Sequence, residues 1–263
     1  MIVTSLSLAA RRGITLAVAL IGIGVAGSAV AGPVTSYTVN QDFLNNEAGA
    51  QSNPNGSYIY GYNLSPTDPS QISTANLVHT SAFAGNAGVQ GFYYPNNVVV
   101  PAIVANVTAN TVVLPFATLQ PGQLLLHPGG PYADGFSSPL AYADLQYTIG
   151  AAGIYNIFGR FSGLDSGGTD VHVYVNGTEQ FGSSVSGGTS TAFNLSHLIL
   201  NAGAKVDFLV GPGADGGIGS DSTGLFASVV AAPEPSTLAS AGLAGVLGLV
   251  VHARRRRRSP LAA

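Results

Sequence analysis

What most limits the folds open to this chain is its punctuation. Through the middle of the sequence, short β-branched, aromatic and aliphatic runs alternate with turn residues, and 35 glycines and 15 prolines stand among 263 residues. Runs that short, bounded by residues that break helices and favour turns, form strands. The clearest is 170–176, where Val171, Val173 and Val175 face one way and His172 and Tyr174 the other. Asn176-Gly177 follows, a pair that tolerates the positive φ of a two-residue hairpin turn. Residues 154–161 and 206–210 alternate in the same manner. Further candidates lie at 34–43, 57–62, 77–83, 98–105, 111–119, 123–127, 141–149, 190–200 and 224–231. No long helical period appears between residues 32 and 232, so the pattern predicts an all-β fold, an antiparallel jelly-roll-like β-sandwich. The turn-dense stretch near 128–139 reads as a loop within that one domain.

Composition narrows the chemistry. The chain has no cysteine and no tryptophan, which excludes disulfides, thiolate metal sites and thiol catalysis. Its basic residues sit at the two ends: Arg11 and Arg12, then Arg254 to Arg258, leaving only Arg160 and Lys205 between. Eleven acids fall between Asp42 and Asp221, so this middle carries a net charge of −9 with histidines neutral. Two cations cannot neutralise a run of phosphates, which excludes nucleic acid as a partner.

Residues 1–31 run from a polar start through Arg11-Arg12 to an apolar stretch, Ile14 to Val25, and the small-x-small site Ala29-Val30-Ala31. That order is the order of a secretory signal peptide. At the other end, Pro233-Glu234-Pro235-Ser236-Thr237 precedes an apolar stretch from Leu238 to Val251 and then five arginines, Arg254, Arg255, Arg256, Arg257 and Arg258. The stretch is near the minimum for a membrane-spanning helix, and the arginines would stay on the cytoplasmic side.

This three-part end resembles the PEP-CTERM sorting signal of exported bacterial proteins. The resemblance implies an inner-membrane-anchored precursor and processing near Pro233-Glu234-Pro235 by an exosortase-type membrane peptidase. The product would be carried to the cell surface or the extracellular polysaccharide. The expected organisation is therefore a signal peptide (1–31), a β-sandwich domain (32–232) and a sorting signal with a transmembrane helix (233–263). Residues 53–230 also resemble an uncharacterised β-domain of exported PEP-CTERM proteins, through Asn53-Pro54-Asn55-Gly56, Tyr60-Gly61-Tyr62, Leu126-His127-Pro128-Gly129 and Thr169-Asp170-Val171-His172-Val173.

No catalytic signature emerges. His79, His127, His172 and His197 lack metal-ligand spacing, and there is no GxSxG elbow. The expectation is a non-enzymatic chain that requires no cofactor. Calcium is the one metal its loops suggest. Gly216-Gly217-Ile218-Gly219-Ser220-Asp221 matches the core of the calcium-binding nonapeptide, in a single copy. Asp215 and Asp221 in one loop, and Asp165 and Asp170 in another, offer oxygens to a hard cation, or cap tight turns. Tyr58, Tyr60 and Tyr62 alternate on one strand. They form either a shallow ring platform for polysaccharide or a set of half-buried strand tyrosines.

Overall fold

The computed structural model describes residues 36–40, 53–54, 56–65, 68, 71–95, 99–131, 137–232, 243–247 and 249. The expected signal peptide, the Pro233-Glu234-Pro235 motif and Arg254 to Arg258 lie outside them. Among the described residues sixteen strands follow one another. They are β1 (Ser36–Thr38), β2 (Tyr58–Asn63), β3 (Val78–Thr80), β4 (Val89–Tyr93), β5 (Ala102–Asn106), β6 (Val112–Val113), β7 (Thr118–Leu119) and β8 (Leu124–His127). After these come β9 (Gly129–Pro131), β10 (Ser137–Thr148), β11 (Gly153–Gly163), β12 (Gly168–Val175), β13 (Thr178–Ser186), β14 (Ser190–Leu200), β15 (Lys205–Gly211) and β16 (Thr223–Ala231).

The strands build two main sheets, and every ladder between them is antiparallel. The eight-stranded sheet runs β14-β11-β16-β8-β5-β4-β3, with β1 pairing β16 beside β8. The six-stranded sheet runs β13-β12-β15-β10-β2, with β9 on β10. From β10 onward the chain changes sheet at each connection except the β12–β13 hairpin, which gives the jelly-roll-like weave. That hairpin turns at Asn176 and Gly177, with φ of 51° and 76°, as their sequence foretells.

Alternation decides what faces the core. Val171, Val173 and Val175 of β12, Val206, Phe208 and Val210 of β15, and Ala143, Leu145 and Tyr147 of β10 point inward from the six-stranded sheet. Ile103, Leu124, Leu126, Ile157, Phe161 and Leu225 meet them from the other sheet. A fully buried side chain of this size contributes about 1.5–3 kcal/mol, so without any cysteine this double layer holds the fold. A second apolar cluster lies on the opposite face of the eight-stranded sheet. There Val112, Leu114 and Leu119, on and between β6 and β7, cover Val104 and Leu125.

Candidate functional site

Tyr58, Tyr60 and Tyr62 share one face of β2, as their spacing requires, but that face is the core. They are 3%, 0% and 6% exposed. Tyr60 stacks on Phe92 at 5.0 Å between centroids, and Tyr58 lies 5.0 Å from Tyr147. Tyr58 and Tyr60 are packed into the core and offer no ring face to a sugar, so the three rings do not form the surface platform expected from the alternation, while Tyr62 lines a pocket with Asn63, Ser65 and Asp68. The outward residues of β2 are Ile59, Gly61 and Asn63, and a Cβ at Gly61 would meet Ile72 at 2.5 Å.

The four candidate calcium ligands occupy one end of the sandwich, where the β11–β12 and β15–β16 loops lie side by side. Gly167 donates to Ser220 O at 2.7 Å, and Leu164 N donates to Ser222 O at 2.9 Å. Asp165 accepts from Ser222 N, both oxygens at 3.1 Å. Asp170 accepts from Gly213 N at 2.7 Å and Asp215 from Gly217 N at 3.1 Å. These three carboxylates therefore do the work of turn caps. Asp221 differs. It is 2% exposed, and its Oδ2 has no hydrogen-bond partner, nor has the Oγ of the buried Ser222 beside it. Burial pushes the Asp221 carboxyl up to about 7, reinforced by the charges of Asp215, Asp165 and Asp170. Asp165, Ser220 and Ser222 also line a cavity of about 220 Å³ with Phe116, Leu125 and His127. Among the described residues no three His, Cys, Asp or Glu side chains are grouped to hold a metal, so a cation here would draw on Asp221, Asp165, Ser222 and loop carbonyls.

The outer face of the six-stranded sheet holds a polar cluster whose importance the sequence does not announce. His172 on β12 sits between Asp170 (Nε2 to Oδ2, 3.0 Å) and Glu179 of β13 (Nδ1 to Oε1, 2.8 Å). Burial alone would lower the imidazole's pKa, but the two carboxylates outweigh it and raise it. The Asp170 carboxyl, which burial alone would raise, is held low by His172, Gly213 N and the Tyr142 hydroxyl. Farther along the same face, Asp144 of β10 is 0% exposed and neither carboxyl oxygen has a hydrogen-bond partner. Its pKa lies well above the usual carboxylate range, from burial first and the Asp207 charge second. Asp207 of β15 accepts from Gln146 Nε2 at 2.7 Å, and burial pushes it up to about 6.

The remaining histidines have structural surroundings. His127 is buried, with Nδ1 donating to Pro128 O at 2.8 Å, and burial lowers its pKa. His79 packs edge-on against Phe92, and His197 stands exposed on β14.

Residues 231–257 match the protein family described as the PEP-CTERM protein-sorting motif. No curated protein matches the chain. Similar solved structures include the M60 catalytic domain with the CBM51-1 and CBM51-2 domains from Clostridium perfringens ZmpB, at 15% identity and TM-score 0.34, covering 47% of this chain and 12% of that one. The CBM36-1 domain of a multidomain xylanase from the hindgut metagenome of Trinervitermes trinervoides matches at 13% identity and TM-score 0.27, over 43% of this chain and 98% of that one. A carbohydrate-binding module CBM36 in complex with calcium and xylotriose matches at 13% identity and TM-score 0.26, over 45% and 83%. The chain thus spans about an eighth of the first of these proteins.

Proposed function

We propose that this chain is an exported, non-enzymatic surface protein. A signal peptide (1–31) starts its export, and an exosortase-type peptidase processes it at Pro233-Glu234-Pro235. Its sandwich then acts in the extracellular polysaccharide of a cell surface or biofilm. The observation that carries this reading is the junction: β16 ends at Ala231, where the sorting motif begins. A cut at the Pro-Glu-Pro sequence severs no strand and leaves β16 paired on both edges. The short helical stretch at 243–247 exposes Leu243 (63%), Val246 and Leu247, side chains that a membrane would cover before processing. Among the described residues no helix is itself long and apolar enough to cross one. The buried carboxylate pair, Asp144 and Asp207, is closed to substrate.

The test is to express the full chain, and a variant with Pro233, Glu234 and Pro235 all changed to alanine, in cells that carry an exosortase-type peptidase. The wild type is expected outside the cell or on its surface, shortened at its C-terminal end, and the variant full-length in the membrane fraction. Wild type left full-length in the cytoplasm overturns the reading.

The orphaned Asp221 Oδ2 and Ser222 Oγ favour a second property, calcium-stabilised loops. A cation there would relieve both oxygens, and binding to the folded state alone must raise the melting midpoint. Calcium is expected to raise the wild-type midpoint and not that of Asp221→Asn. An equal shift in both removes Asp221 from the site.

A further inference from the structure

We propose that the strip formed by Phe158, Arg160 and Phe226, on the outer face of the eight-stranded sheet, binds a carboxylated polysaccharide. This deepens the matrix reading above and rests on it. β11 and β16 are neighbours, with Arg160 opposite Phe226 and Phe158 opposite Ser228. On the other side of β11, β14 sets Asn194 opposite Phe158 and Ala192 opposite Arg160. Phe158 and Arg160 stand two apart on one strand and so share a face. With Phe226 and Ser228 they line an open groove of about 300 Å³. Phe158 is 43% exposed, and Arg160, Ala192 and Asn194 are exposed as well.

The charge on this strip selects the ligand. The described residues include two cations, Arg160 and Lys205. Lys205 donates its Nζ to Thr148 Oγ1 at 2.6 Å. The guanidinium of Arg160 lies 5.9 Å from the centre of the Phe226 ring and, among the described residues, pairs with no carboxylate. Among the described residues, where acids outnumber the two bases, the exposed guanidinium of Arg160 meets no carboxylate and is open to an anion from outside. Its planar fork fits a carboxylate with two parallel hydrogen bonds. The two phenyl rings offer apolar faces to the C–H face of a pyranose. The low side chains of Ala192 and Ser228 leave room for a flat sugar ring, and the Asn194 amide can pair with its hydroxyls. A neutral glycan would use the rings and leave the guanidinium idle, so the chemistry favours a uronate-type polymer.

The experiment measures binding of the full chain, in detergent, to polygalacturonate and to its methyl-esterified form, which keeps the sugar and removes the charge. Arg160→Gln, Arg160→Lys and Phe158→Ala are compared, with melting midpoints confirming that each is folded. Wild type is expected to bind the acidic polymer at least tenfold tighter than the ester, with affinity that falls as salt rises. Arg160→Gln loses that tenfold on the acid and matches wild type on the ester, Arg160→Lys falls between, and Phe158→Ala weakens both. If wild type binds the acid and all variants bind equally well, this site is wrong while the matrix reading stands. If wild type binds neither polymer nor any other matrix polysaccharide, both fail. A wild-type dimer that Phe158→Ala converts to monomer makes the strip a contact between two copies and overturns the proposal.

Discussion

Asp207→Asn is expected to make this protein more stable at neutral pH, and by a margin that disappears in acid. Asp207 is 1% exposed, and the Asp144 carboxyl on the neighbouring strand is completely enclosed. The pKa of Asp207 in the folded protein, about 6, exceeds the unfolded value of 3.8. The folded state therefore holds the proton more tightly than the unfolded one. Stability from this group is fully present below pH 3.8 and is lost as pH rises to about 6. A difference of about two units, at 1.36 kcal/mol each, costs the wild type about 3 kcal/mol above pH 6. The asparagine keeps the same shape and still accepts from Gln146 Nε2, but carries no charge to bury. For a domain of this size, 3 kcal/mol corresponds to about 6–12 °C in Tm. Urea unfolding of wild type and variant at pH 7.5, 6, 5 and 4 measures the difference directly. His172 and His127, which drive stability in opposite directions across the same range, are common to both chains and cancel. A variant less stable at pH 7.5, or an advantage that stays constant down to pH 4, refutes the reasoning.

Other substitutions probe the packing. Tyr60→Ala removes a wholly buried ring stacked on Phe92 and is expected to cost about 3–5 kcal/mol, read as a large fall in Tm. A small fall would return Tyr60 to the surface. Gly159→Ala places a methyl 2.2 Å from Phe226 O and 2.5 Å from Phe193 Cζ, which costs about 1–3 kcal/mol in urea unfolding; an unchanged midpoint would show that β11 and β16 separate freely. Asn40→Ala strips hydrogen bonds to Gly122 O, Leu225 O and Ala227 N from a buried amide. It is expected to destabilise by about 2–4 kcal/mol, since the backbone partners stay buried, and a loss below 1 kcal/mol would mean that water replaces the amide.

The sequence made most strands readable because β-branched and aromatic alternation is local. It marked the β12–β13 turn for the same reason, since Asn176-Gly177 needs no distant partner to adopt positive φ. β13 escaped notice because it is an edge strand, Thr178–Ser186, largely polar and paired on one side only. Val89–Tyr93 escaped because Gly91 interrupts it, with φ of 149° and the backbone of Ile103 where a Cβ would sit. The tyrosines of β2 show the limit most plainly. Alternation establishes that they share a face, but only the partner sheet decides that this face is inside. The Asp144–Asp207 pair was equally invisible, because the two carboxylates are 63 residues apart in the chain and meet only across the β10–β15 ladder. The aspartate loops were half legible. Their turn chemistry is written locally, while the burial of Asp221 depends on β11 and β16 coming together.

The place of β16 has a bearing on how the chain acquires its fold during export. Among the described residues it is the last strand of the chain, yet it lies between β11 and β8 in the eight-stranded sheet. Until Thr223–Ala231 arrives, β14-β11 and β8-β5-β4-β3 are two unjoined fragments, each with an open edge of unpaired amides and carbonyls. If the chain is threaded through a membrane from its N-terminus, as proposed, the eight-stranded sheet cannot close until β16 has passed. Only Ala232 separates the end of this keystone strand from the Pro-Glu-Pro sequence, so completion of the sheet and arrival of the sorting signal become a single event in time. Such late, long-range closure is slow by nature, and a tether at the membrane would keep the unfinished edges of different chains apart while it happens.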